Sequence, residues 1–167
     1  MPRWCDENKT IGNSKKRLSL HYSFDSGDVT KKFSWRGLDG YIRENRREVG
    51  VSVFDPTTGE RVAILFFLKK FEGLEGNFAA IHRKYQGKGI GKRVYKKLLK
   101  MYGKITSSDT LTGETGYGSF NLYQSLSKLN GIKSYLYDDK SKKYKEVPQF
   151  TRDMMKHFKT RLVLSYK

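Results

Sequence analysis

The chain has 167 residues, and its 34 Lys and Arg against 17 Asp and Glu give a formal net charge of +17. With 37% hydrophobic and 14% aromatic residues it can bury one packed core, which excludes a disordered polycation. Its longest apolar run, Val62 to Leu68, is far short of the about 20 residues of a membrane helix. No secretory segment follows Met1, and the lone Cys5 excludes a disulfide framework.

Residues 1–16 are polar and read as a flexible N-terminal segment, leaving 17–167 as a single domain. From Arg17 to Phe24, Leu18, Leu20, Tyr22 and Phe24 alternate as in a strand, with His21 on the other face. Ser34 to Arg47 reads as a short helix capped by Ser34. Val49 to Phe54 and Arg61 to Lys70, joined by the turn residues Asp55-Pro56-Thr57-Thr58-Gly59, predict a hairpin. Gly73 to Asn77 reads as a loop and Phe78 to His82 as a short buried strand. Gly89 to Tyr102 is helical, with Ile90, Val94, Leu98, Leu99 and Tyr102 on one face and Gly103 as the stop. A short strand at Lys104 to Thr106, a helix at Ser119 to Leu129 and strands at Ile132 to Tyr137 and Arg161 to Tyr166 follow, with a helix-like stretch near Phe150 to Phe158. The order predicts a mixed α/β sheet around one central strand–helix–strand unit.

The positive charge is unevenly placed. Between Gly76 and Ser108 there are nine basic residues and no acid. Lys88, Lys92, Lys96 and Lys100 recur every four residues and form a ridge along the predicted helix. A second basic group includes Lys31, Lys32, Arg36, Arg43, Arg46 and Arg47, and a third spans Lys140 to Lys145. Such an excess favours a polyanionic partner, nucleic acid or a nucleic-acid-associated protein. A merely solvated surface is the plainer alternative. His21, His82 and His157 are far apart in sequence and show no metal-ligand spacing.

The most informative stretch is Tyr85-Gln86-Gly87-Lys88-Gly89-Ile90-Gly91-Lys92, where a buried strand ends and a glycine-rich turn opens a helix. Glycines let backbone approach a ligand, and the unpaired amides of a helix start favour an anion. A Walker-type loop does not fit, because Gly87 and Gly91 enclose three residues and Arg93 stands where its hydroxyl belongs. A dinucleotide fingerprint lacks its third glycine, since that place is Lys92. A helix start that needs glycines for its shape alone is the structural alternative.

Gln86, Gly89 and Gly91 fill the Gln/Arg-x-x-Gly-x-Gly/Ala pattern, and the stretch resembles the acyl-CoA-binding motif of the GNAT family of N-acetyltransferases. The resemblance is firm from about Val49 to Met101. It implies a GNAT-like, mostly antiparallel sheet whose strand–helix–strand unit binds CoA, flanked by helices. It also implies acetyl-CoA or another acyl-CoA as cosubstrate, with the backbone of Gln86 to Gly91 holding the diphosphate. Ile81, Arg83, Gln86, Gly87, Lys88, Gly89, Ile90, Gly91 and Lys92 form the implied binding set. A backbone N–H near Ile81 would polarise the thioester carbonyl. Tyr123 is the implied acid for the leaving thiolate, although Gly116 and Ser127-Lys128 depart from the family pattern around it. The base candidates are His82, Glu75 and Asp109. The loop Ser107 to Gly118 reads as a mobile wall, and its Ser-Asp-Thr start resembles small GNAT-like proteins of bacteriophages. The expected activity is N-acyl transfer to an amine on a nucleic-acid-associated macromolecule, in a reducing, cytoplasmic setting. The rival is a non-catalytic nucleic-acid-binding or nucleic-acid-modifying protein on the same scaffold.

Overall fold

The computed structural model describes residues 28–108, 117–156 and 160–167. The architecture is mixed α/β, with many strands, mostly antiparallel, and two α-helices among the described residues. The strand expected at Arg17 to Phe24 and most of the loop after Ser108, including Asp109, lie outside the described residues. Contacts divide the chain into two compact units. Of the described residues, one, the meander unit, takes 28–69 and 77–90; the other, the helical unit, takes 70–76 and those from 91 onward.

The meander unit is built from β1 (Asp28–Trp35), β2 (Leu38–Glu44), β3 (Glu48–Phe54), β4 (Arg61–Lys70) and the last residues of β5 (Gly73–Ile81), in that spatial order. β1 through β4 pair antiparallel. The hairpin Val49 to Lys70 forms as its alternating valines and its Asp-Pro-Thr-Thr-Gly turn predict. Asp55 Oδ1 fixes that turn by accepting from the Thr57 amide at 2.9 Å and the Thr57 hydroxyl at 2.6 Å. Val49, Val51, Val62, Ile64 and Leu65 are buried, each contributing about 1.5–3 kcal/mol.

Ser34 to Arg47 is not a helix. It is the end of β1, a two-residue turn at Arg36 and Gly37, and β2. Both turn residues have positive φ, 49° and 77°, which suits the twist of flanking strands. Gly40 then receives the ring of Phe33 from the paired strand, and any side chain there would run into it.

The helical unit contains residues 73–76 of β5, then β6 (Lys104–Thr106), β9 (Thr160–Tyr166), β7 (Ile132–Asp138) and β8 (Lys143–Val147), in that order. β5 and β6 run parallel through two registered pairs, Leu74 with Ile105 and Glu75 with Thr106; the other pairs are antiparallel. Gly73 to Asn77 is therefore strand and not loop. Gly73 is there because a side chain would strike the carbonyl of Lys104.

Helix α1 (Ile90–Tyr102) buries Val94, Tyr95, Leu98 and Leu99 and leaves Lys96 and Lys100 exposed, as its 3.6-residue period requires. It stops where Gly103, φ +84°, returns its N–H to Leu99 O at 2.8 Å. Helix α2 (Tyr117–Ser127) begins slightly before its predicted start and buries Phe120, Tyr123 and Leu126. The helix-like stretch after Phe150 is a single 3₁₀ turn, Arg152–Lys156. β8 was not predicted, because its lysines mask the alternation.

Candidate functional site

The glycine turn lies at the end of the meander unit. After β5 ends at Ile81, Arg83–Tyr85 make one 3₁₀ turn, and Gly87 and Gly89 bring the chain into α1 with φ of 72° and 84°. Only glycine adopts these values without strain. Gly87 faces open space, and a Cβ at Gly89 would find Trp35 at 3.6 Å. The guanidinium of Arg36 stacks on the Trp35 ring at 4.9 Å.

Three contacts fix the turn. Gln86 Nε2 donates to Ile81 O at 2.9 Å, tying the motif glutamine back to the strand end. The Tyr85 hydroxyl donates to Asp55 Oδ2 at 2.7 Å, anchoring the turn to the β3–β4 hairpin. His82 Nδ1 accepts from the Lys84 amide at 3.2 Å, and its Nε2 lies 3.3 Å from Glu60 Oε1. Hydrogen bonds from Thr57 and Tyr85 hold the Asp55 carboxyl down at about 2, and the bond to Asp55 raises the Tyr85 phenol. Lys84 and Lys88 each place an ammonium over the Tyr85 ring, at 5.5 and 5.8 Å.

These contacts sort the expected residues. The Gln86 amide is not available to an anion, because it donates to Arg83 O at 3.1 Å. The donors left are the amides from Gly87 onward, including those of the first helical turn, which have no partner within a helix. No acid stands in that turn, and Lys92 and Arg93 lie in it. Ile81 spends its carbonyl on Gln86, and Arg83 and Lys88 are exposed. Both ring nitrogens of His82 have protein partners, so the imidazole caps the turn that presents the amides.

Tyr123 and Glu75 belong to the helical unit. Tyr123 is 2% exposed. Its hydroxyl and that of Tyr95 converge on Gly76, where a Cβ would meet them at 3.2 and 3.3 Å. The two rings pack edge to face, with centroids 5.6 Å apart. Among the described residues Tyr123 Oη has no partner in good hydrogen-bond geometry, although the Tyr95 hydroxyl is near enough to affect its ionisation. Burial pushes the Tyr95 phenol up to about 12. Burial, then Tyr95 and the charge of Glu75, hold the Tyr123 phenol well above its ordinary value.

Glu75 is a strand carboxylate and not a loop residue. It faces Arg161 Nη1 at 3.7 Å and Lys70 Nζ at 3.9 Å. Arg161 Nε also reaches both oxygens of Asp139, at 2.8 and 2.9 Å, and its guanidinium covers the Phe71 ring at 5.1 Å. Sequence reasoning missed Asp139 and Arg161, because sheet pairing and not sequence spacing brings them to Glu75. Trp35 was missed for the same reason. Within each unit the structure gathers part of the expected set: the residues from Ile81 to Ile90, His82 among them, in one, and Gly91, Lys92, Glu75 and Tyr123 in the other.

Among the described residues no helix is long and apolar enough to cross a membrane. No family model and no curated protein sequence matches the chain. Among solved structures it is similar to the crystal structure of the ribosomal-protein-S18-alanine N-acetyltransferase from Escherichia coli, at 12% identity and a TM-score of 0.42, over 74% of this chain and 70% of that one. It is also similar to a GNAT-family acetyltransferase, so described without an established activity, from Bacteroides thetaiotaomicron, at 11% identity and a TM-score of 0.38, over 92% of this chain and 84% of that one.

Proposed function

We propose that the protein is an acyl-CoA-dependent N-acyltransferase. The observation that supports this best is the turn from Gln86 to Gly91. Gly87 and Gly89 hold left-handed backbone that removes side chains from the approach to the amides, and the motif glutamine is tied to the strand end. A diphosphate fits such a cradle: it is anionic, no acid stands in the first helical turn, and Lys88 and Lys92 add positive charge.

Acyl-CoA would supply the thioester. The amides from Gly87 to Gly91 bind the diphosphate, and Lys88 and Lys92 add screening charge. Ile81 offers the backbone N–H that orients a carbonyl. Tyr123 keeps its proton at Oη across the physiological range and is the donor for a thiolate. Glu75 is the proton acceptor that converts the acceptor's ammonium to the attacking amine, directly or through one water, and Asp109 is the second choice. His82 is a positioning residue, holding the turn through Lys84 and Glu60.

The excess of positive charge supports an acceptor amine on a nucleic-acid-associated macromolecule, because one CoA requires only a few of these cations. It equally supports the second reading, a nucleic-acid-binding module without catalysis in which the turn holds backbone phosphates. Calorimetric titration separates the two. Acetyl-CoA should bind one to one and raise Tm, and an oligonucleotide should not compete for the turn. Absence of heat and of thermal stabilisation at saturating acetyl-CoA would overturn the transferase reading.

A further inference from the structure

The meander unit carries a second concavity, of about 500 Å³, across the outward face of β2, β3 and the β3–β4 turn. Strand register builds it. Tyr41 lies opposite Ser52 and Asp39 opposite Phe54, so these four alternate onto one face, and a register shift between Val53 and Phe54 brings Arg61 opposite Phe54. Ser52 is small and 4% exposed and forms the floor between two half-buried rings. Tyr41 and Phe54 meet edge to face at 5.8 Å. The Arg61 guanidinium covers Phe54 at 5.2 Å, Lys32 Nζ stands 5.7 Å from the Tyr41 ring, and Arg43 lines the far end.

We propose that this trough binds single-stranded nucleic acid, with bases stacked against Tyr41 and Phe54 and phosphates held by Arg43, Arg61 and Lys32. Planar rings interleaved with cations match a chain of alternating bases and phosphates. A duplex would present its phosphates but keep its base faces stacked away from the rings. An acidic peptide would use the cations and leave the rings unused. The two carboxylates of the lining fit the same ligand. Asp55 already accepts three bonds from Thr57 and Tyr85, so it acts as a fixed support. Asp39 accepts from the Ser34 hydroxyl at 3.0 Å, and a carboxylate has lone pairs left for the exocyclic amine of a base. The guanidiniums of Arg43 and Arg61, with five donors each, can add a phosphate to the contacts they already make.

The trough borders the glycine turn through one residue, since Asp55 lines the former and accepts from Tyr85 of the latter. This inference rests on reading the surplus charge as polyanion binding, and not on the acyl-CoA reading. It goes beyond that reading by giving the polyanion a place and a strandedness.

The test is fluorescence anisotropy with a labelled single strand of about 12 nucleotides, within the site size of such faces. The same strand as a duplex, polyglutamate and mononucleotides serve as competitors over a salt series. The single strand should bind well ahead of all three. Tyr41→Leu with Phe54→Leu should weaken it about tenfold or more, with Tm and circular dichroism checking that the fold is kept, whereas Tyr41→Phe should bind like the parent. Arg43→Gln should lower the salt slope by about 0.7. Photocrosslinking of a halogenated-uracil strand should label the peptide that contains Tyr41 or Phe54, which reports the site without any variant. Equal binding of the duplex or polyglutamate, mononucleotides as tight as the strand, or binding that survives loss of both rings but fails in Lys96→Gln with Lys100→Gln would each overturn the proposal.

Discussion

Gly89→Ala probes the turn most directly. The φ of +84° at this position is one that a residue with a Cβ rarely adopts, and holding it there costs about 1–3 kcal/mol. Contact does not add to the cost, because the new methyl would meet Trp35 at an ordinary 3.6 Å. The substitution should therefore lower Tm by roughly 2–12 °C, at about 2–4 °C per kcal/mol for a chain of this length. If the turn relaxes to relieve the strain, the amides lose their alignment, and acetyl-CoA affinity should drop by about tenfold or more. Gly89→Asn should suffer less on both counts, since Asn tolerates left-handed backbone better. Differential scanning fluorimetry and calorimetry measure the two effects. An alanine variant as stable as the parent that binds acetyl-CoA unchanged would refute both the strain argument and the amide cradle.

Tyr123→Phe removes one buried hydroxyl and little volume. It should lower turnover by about 10²–10⁴ with acetyl-CoA binding unchanged, as steady-state kinetics on an identified acceptor will show. The same phenols set an alkaline limit. Tyrosines in the unfolded chain ionise near pH ~10, whereas Tyr95 titrates at about 12 and Tyr123 above its usual range, so the folded state retains protons that the unfolded state has lost. Stability should hold below pH ~10 and fall as pH rises toward 12; urea midpoints measured along that range should show a shallower fall in Tyr95→Phe with Tyr123→Phe. Arg161→Gln leaves Glu75 and Asp139 without their shared cation, and with side chains mostly buried this should cost about 3 kcal/mol by urea denaturation. Arg161→Lys should rescue little, because one ammonium cannot span Asp139, which Nε reaches, together with Glu75 and the Ser107 carbonyl, which Nη1 reaches. Tyr85→Phe removes one of the bonds that hold the Asp55 carboxyl near 2, so its titration, followed by NMR, should move up. The contribution of Asp55 to stability is present above its unfolded value near 4 and disappears as pH falls through 2, and in Tyr85→Phe that contribution should be smaller and its loss complete at higher pH.

The elements readable in the sequence were those whose signals are local. The β3–β4 hairpin announces itself by alternating valines and a turn whose Asp55 hydrogen-bonds its own backbone. Helix α1 shows its buried stripe and its Gly103 stop. The elements missed owe their form to distant partners. Gly40 reads as a poor helix residue, yet it is a strand position that accommodates the Phe33 ring. Arg36 hides a turn that Asn or Gly would have revealed. Gly73 and Gly76 look like loop residues because nothing nearby shows that Lys104 and two tyrosine hydroxyls press on them. The site divides in the same way. The glycine turn could be read residue by residue, whereas the commitment of the Gln86 amide, the capping role of His82 and the Glu75–Arg161–Asp139 cluster depend on contacts that sequence spacing does not encode.

The interleaving of the two units has a practical consequence for anyone who would dissect them. The helical unit borrows residues 70–76 from the middle of the stretch that builds the meander unit, and the meander unit takes back 77–90 before the chain departs for α1. No single cut therefore releases either unit whole. Ribosomal synthesis delivers β4 and the first half of β5 before the rest of the helical unit exists, so residues 70–76 must wait for their remaining partners until the last strand, β9, has left the tunnel.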